Sequence, residues 1–175
     1  MLIQLTGLSG AGKSTIAFLV KEQLASLQIP CTIIDGDEYR KTLCADLGFS
    51  REDRCENIRR LGGVAHEYNK KGFVSIVAAI NPYESARTEL ADLYAAKTVH
   101  IYCPLPVLID RDTKGLYKKA LLTNDHPDKI NNLTGVNDPY EAPLHPDLFI
   151  DTSILSADEA VTMLTDFIRQ QLHTR

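Results

Sequence analysis

Five short runs of apolar and β-branched residues punctuate the chain: LIQLT (2–6), CTIID (31–35), FVSIVAAI (73–80), TVHIY (98–102) and LFID (148–151). Runs this short and this continuously apolar predict strands covered on both faces, the pattern of a parallel sheet. Between them the apolar residues recur at helical spacing. Ile16, Ala17, Val20, Leu24 and Leu27 form one stripe, and that helix must stop before Pro30. Ile58, Leu61, Ala65 and Tyr68 form the stripe of a second helix over about 51–71, and a closing helix follows over about 157–172. Strands alternating with helices predict an α/β class with a five-stranded parallel sheet flanked by helices.

The second helix carries a clue to function. Extending its stripe back by one turn reaches Arg54, with Asn57 three residues on. In a βαβ unit the helix starts at the carboxyl edge of the sheet, so polar residues continuing a buried stripe there point toward a ligand. The segment 111–143 differs in texture, being rich in Lys, Asn, Asp and Pro with a helical start and then turn signals. A strand and a helix follow it, so it reads as a lid within a single domain spanning 1–175. Arg111, Lys114 and Lys118 are spaced to share one helix face.

Composition narrows the partners. A chain of 175 residues with 44% hydrophobic content can bury one core unaided. Its formal net charge of -4 offers no overall attraction to nucleic acid or to an anionic membrane, so any anion must be held by local cations. No apolar run approaches the ~20 residues of a membrane helix. The opening MLIQLTG carries no charged leader, which makes the cytoplasm the expected compartment. Cys31, Cys44, Cys55 and Cys103 are scattered without a CxxC pair, and the histidines form no HxH or HExxH pattern, so reduced cysteines and no zinc site are expected.

The chemistry concentrates in GLSGAGKST, 7–15, set between a strand and a helix. The pattern Gly7-x-x-x-x-Gly12-Lys13-Ser14 is that of a P-loop: the glycines let backbone N–H groups converge on a phosphate at a helix start, Lys13 reaches the outer phosphates and Ser14 ligates Mg2+. A GTPase would need an N-K-x-D element, whereas the nearest string is NKKG at 69–72, and DTKG at 112–115 lies too late for a switch, so ATP is expected. At the end of the second strand, IDGDEYR (34–40) supplies Asp35 and Asp37, an acidic pair able to hold Mg2+ and to accept a proton. Asp37 could instead cap the following helix. Arg40 follows one turn later.

Taken in order, GLSGAGKST, DGDEYR, LGFSREDRCENIRR, RDTKGLYKKA and LTGVNDPYEAP resemble the adenylylsulfate kinases over nearly the whole chain. These enzymes transfer the γ-phosphate of ATP to the 3'-hydroxyl of adenosine 5'-phosphosulfate (APS), giving PAPS. The resemblance implies a P-loop kinase fold with a mobile lid, Mg-ATP as donor and a homodimer. It places ATP on Gly7, Leu8, Ser9, Gly10, Ala11, Gly12, Lys13, Ser14 and Thr15, and the metal on Ser14 and Asp35. Asp37 would be the general base, with Lys13, Asp35 and the lid's Lys114 completing the catalytic set. Arg40, Arg54 and Asn57 would grip the phosphosulfate nucleotide, Phe49 would stack on its base, and Ile80, Asn81, Lys114 and Leu133 would complete the acceptor site.

Three departures from that family fall in the acceptor region. The usual ISPYR appears as INPYE, so a serine becomes Asn81 and an arginine becomes Glu84, and the usual FTG appears as LTG with Leu133 in place of an aromatic. Asn81 cannot carry a phosphoserine, so transfer from ATP must be direct. Glu84 near a dianion would repel it by about 3 kcal/mol per unit charge at ~6 Å and an effective dielectric of 20, with Arg87 one turn on as a replacement cation. Loss of one aromatic forgoes part of the ~1–3 kcal/mol that stacking gives a base. Two further readings therefore stand beside APS: a kinase for another nucleotide 3'-hydroxyl, such as cytidine diphosphoramidate, and a non-catalytic ATP-binding regulatory module.

Overall fold

A computed structural model describes residues 1–173. Its five strands are β1 (Leu2–Thr6), β2 (Cys31–Asp35), β3 (Val74–Ala78), β4 (Lys97–Tyr102) and β5 (Leu148–Asp151). All pair in parallel, in the order β2-β3-β1-β4-β5. The expected third strand shortens to Val74–Ala78 because Ala79 and Ile80 leave the sheet where Ala78 meets its last partners, Leu5 and Asp35. Ile80 instead offers its carbonyl to the Gly7 amide at 3.2 Å.

Alternation along the central strand divides the core. Ile3 and Leu5 pack with α1 (Lys13–Ser26) and the last helix, Ala157–His173, on one face. Leu2 packs with α3 (Arg51–Lys70) and α4 (Glu84–Tyr94) on the other. Residues i and i+2 share a face of a strand, so Gln4 should join Leu2. It does, donating through Nε2 to the Arg87 carbonyl of α4 at 2.9 Å. The helix α4 buries only Ala86, Arg87 and Leu90, a stripe too sparse to predict from sequence. The predicted second helix forms with Ser50 as its N-cap, accepting from the Asp53 amide at 3.1 Å.

The segment after β4 differs from the expected continuous helical start. Helix α5 (Leu105–Arg111) ends at Asp112, whose φ is 25°, and Gly115 at φ 65° precedes α6 (Leu116–Ala120). The Asp112 carboxylate then accepts from the amides of Tyr117 and Lys118 at 3.0 and 2.9 Å, starting the new helix in place of extending the old one. Arg111, Lys114 and Lys118 therefore lie on two helices and the turn between them, not on one face. Arg111 turns to Cys103 Sγ and the Thr152 carbonyl. All four cysteines are free thiols. Among the described residues no helix is long and apolar enough to cross a membrane.

Candidate active site

The loop between β1 and α1 is shaped by backbone conformations closed to most side chains. Gly10 and Gly12 sit at φ 77° and 95°. At Gly7 a Cβ would lie 2.1 Å from the Ile101 carbonyl oxygen, so nothing larger than glycine fits against β4. Gly12 is the N-cap of α1 and provides no side-chain cap, which leaves the first-turn amides to an anion. Lys13 is buried and its ammonium donates to the Gly7 and Leu8 carbonyls at 2.8 Å each. Burial, and secondarily the charge of Lys114, pull its pKa down to about 8.

At the neighbouring strand end, Ser14 Oγ donates to Asp35 Oδ2 at 2.7 Å. Asp35 Oδ1 accepts from the Asp37 amide at 2.9 Å, making Asp35 the N-cap of α2 (Gly36–Tyr39). The cap of this helix is thus Asp35, and Asp37 in its first turn is left for another partner. That partner is Lys114, whose ammonium stands 2.6 Å from Asp37 Oδ2. Both side chains are more than half exposed, so the pair stabilises by no more than ~1 kcal/mol and is readily exchanged.

These groups line one cavity of about 700 Å3, which continues from the loop to Arg40, Phe49, Arg54, Asn57, Ile80, Asn81 and Leu133. Every expected acceptor residue reaches it. Arg40 donates to the Leu47 and Gly48 carbonyls and stands 4.5 Å over the Phe49 ring. Arg54 is buried, donates to the carbonyls of Phe49 and Asn132, and pairs with Asp138 at 2.9 Å. Asn57 is also buried and its Oδ1 has no hydrogen-bond partner. The backward extension of the helix stripe thus located two cavity residues correctly. Of the expected loop residues, Gly7, Leu8 and Ala11 lie outside the cavity lining: Gly7 is wedged on β4, Ala11 joins the core and Leu8 supports Gly135.

The departures take unexpected places. Glu84 is absent from the lining; its Oε2 lies 2.5 Å from Arg87 Nη2, so it faces an internal cation and not a bound anion. Arg87 itself is 1% exposed and points into the protein, so it cannot replace the lost cation toward a ligand. Asn81, at φ 47°, donates its amide to Gln4 Oε1 at 3.0 Å. Leu133 is buried in the cavity wall.

Some contributors gave no usable signal in the sequence. Tyr117 donates through its hydroxyl to the Ser9 carbonyl at 2.8 Å, tying α6 to the phosphate loop, and Thr113, Asn132 and Thr134 line the cavity. Tyr117 stands inside the quoted GLYKKA, but nothing local announces a partner 108 residues away.

The family profile described as adenylylsulphate kinase matches residues 1–151. The chain belongs to the adenylylsulphate kinase family. It is 45% identical over 175 residues to the adenylyl-sulfate kinase of Myxococcus xanthus, covering 97% of this chain and 91% of that protein. It is 43% identical over 164 residues to a probable bifunctional SAT/APS kinase 2 of Sorangium cellulosum, there covering 93% of this chain but 27% of the larger protein. Among solved structures, the APS kinase of Mycobacterium tuberculosis in complex with AMPPNP and APS superposes with a TM-score of 0.88 at 36% identity, over 96% of this chain and 98% of that one. The P-loop kinase fold implied by the motifs is thereby established, and the family's enzymes are phosphotransferases with an alcohol acceptor.

Proposed function

We propose that this chain transfers the γ-phosphate of ATP to the 3'-hydroxyl of adenosine 5'-phosphosulfate, yielding PAPS and ADP. The observation that carries the reading is one cavity lined both by the glycine-shaped loop and by Arg40, Arg54 and Asn57, with Asp37 close enough to act electrostatically on Lys13 and on Arg40. The cup binds the donor's phosphates and Lys13 turns from the loop carbonyls to the outer phosphate oxygens. Ser14 and Asp35, already side by side, present the hard oxygen donors that suit Mg2+, which characteristically takes one or two protein ligands with substrate phosphates completing its shell. When bound, the ion would neutralise charge on the β- and γ-phosphates.

Asp37 Oδ1 is assigned the proton of the attacking hydroxyl while Lys114, released from Oδ2, follows the charge onto the phosphoryl oxygens. Arg40 and Arg54 orient the acceptor's anionic group. Phe49 and Leu133 enclose its base. Segment 111–143 serves as the lid of a single domain, excluding water that would otherwise take the phosphoryl group. With Asn81 in place of serine, direct transfer is the scheme left to the chain, and the family's homodimer is proposed with it, to be checked by sedimentation. The deciding assay is ADP formation from Mg-ATP with APS, with a cytidine diphosphate analogue, or with no acceptor. APS-dependent release is expected. Analogue-dependent release would reassign the acceptor, and none would leave a binding module.

A further inference from the structure

We propose that Arg87 is a positioning residue for the acceptor wall, clamping the exit of β3 to the returning arm of segment 111–143. This inference rests on the acceptor reading above, yet none of its contacts touch the donor cup. Buried and central, Arg87 donates through Nη1 to the Asn81 carbonyl at 2.7 Å and through Nη2 to the Glu141 carbonyl. Its Nε and Nη2 also reach Glu84 Oε2 at 3.1 and 2.5 Å. One planar guanidinium thus spans three partners from two distant stretches of chain, a geometry that an ammonium cannot reproduce.

The stretch it holds is the one that faces the acceptor. Ile80, Asn81 and Pro82 line the cavity, with Asn81 at a φ of 47° that asparagine tolerates better than most residues. Thr6 Oγ1 donates to the carbonyls of Ile80 and Asn81 and meets the Tyr140 hydroxyl at 3.0 Å. The Glu141 amide donates to the Pro82 carbonyl at 2.8 Å, and Glu141 Oε2 accepts from the Glu84 amide at 2.8 Å. The returning arm is therefore bolted to the β3 exit around Arg87, while the outgoing arm touches Asp37 through an exposed ion pair. Glu84 acquires a role here. A carboxylate at this position is a counter-ion for a buried arginine that also holds two carbonyls, a charge pairing that a cation there would not provide.

The experiment compares wild type with Arg87→Met, Arg87→Lys and Glu84→Gln by steady-state kinetics and by amide hydrogen exchange. Arg87→Met should raise the APS KM about tenfold or more while the ATP KM stays within about twofold, and Arg87→Lys should recover part of the difference. In the protein without ligands, exchange at the Glu141 amide should accelerate about tenfold while the Ile16 amide of α1 does not change. A folded Arg87→Met enzyme with unaltered APS KM, or with both KM values rising together, overturns the proposal. If Arg87→Met does not fold, exposed Glu84→Gln decides: a rise of about 2–5-fold in APS KM with faster Glu141 exchange supports the clamp, and no change in either overturns it. Should wild type form no ADP with APS, the acceptor reading fails on its own, and hydrogen exchange alone then judges Arg87.

Discussion

The two ends of the cavity are built by different means. One end, the cup proposed to take the donor, is formed by the loop 7–15, whose shape is fixed by backbone: a Gly7 wedged on Ile101, two more glycines at positive φ, and an uncapped helix start. The other end, the proposed acceptor wall, gathers residues from α2, the loop before α3, α3 itself, the β3 exit and the returning arm of segment 111–143. A backbone cup can be preserved only whole, whereas a wall of side chains can change one residue at a time. All three departures from the family pattern, Asn81, Glu84 and Leu133, lie on the wall or in its support.

Substitutions at the two ends should separate cleanly. The largest effect is expected for Lys13→Ala, which removes the cup's one buried cation and should lower kcat by on the order of 10²–10³ in an ADP-release assay. Asp37→Asn should lower kcat by about 10² with the ATP KM nearly kept; equal activity would remove Asp37 as the base. Phe49→Ala should raise the APS KM about tenfold, the equivalent of losing ~1–3 kcal/mol of base stacking, and leave the ATP KM alone. A matching rise in both would mean the two ends are not independent. Leu133→Phe should tighten APS only about threefold, because the buried site has limited room for a ring.

The smallest expected effect is on pH. Lys13 is held near a pKa of about 8 chiefly by burial and then by Lys114, with Asp37 and Asp35 opposing. Its charged form is therefore lost as pH rises through about 8, and kcat/KM for ATP, which reports the free enzyme, should fall above that pH. Removing the like charge by Lys114→Met should move this limb upward by up to about 1 unit. A limb that stays in place would show that burial alone sets the pKa.

The clamp around Arg87 shows where sequence reasoning reached its limit. Arg87 and Glu84 are three residues apart and were expected near the ligand, as replacement cation and as repulsive charge. They instead pair with each other, and Arg87 also donates to the carbonyls of Asn81 and Glu141, the second of them 54 residues away. Likewise the continuous basic face expected from Arg111 to Lys118 broke at Asp112, whose carboxylate found the amides of a new helix start. A charged side chain has several partners within reach, and its own neighbourhood in sequence does not rank them.

What the sequence by itself determined was whatever depends on contiguous residues: five strands placed to within about two residues, the helices with continuous apolar stripes, the phosphate loop, and the helix-stripe extension that found Arg54 and Asn57. Those features follow from local periodicity and from steric rules that act over a few bonds. Only the tertiary structure decided that Asp35 caps and leaves Asp37 to Lys114, that Arg40 lies over Phe49, and that Glu84 serves Arg87. The reason is physical: burial and charge pairing are settled by which groups the completed fold brings within about 3 Å.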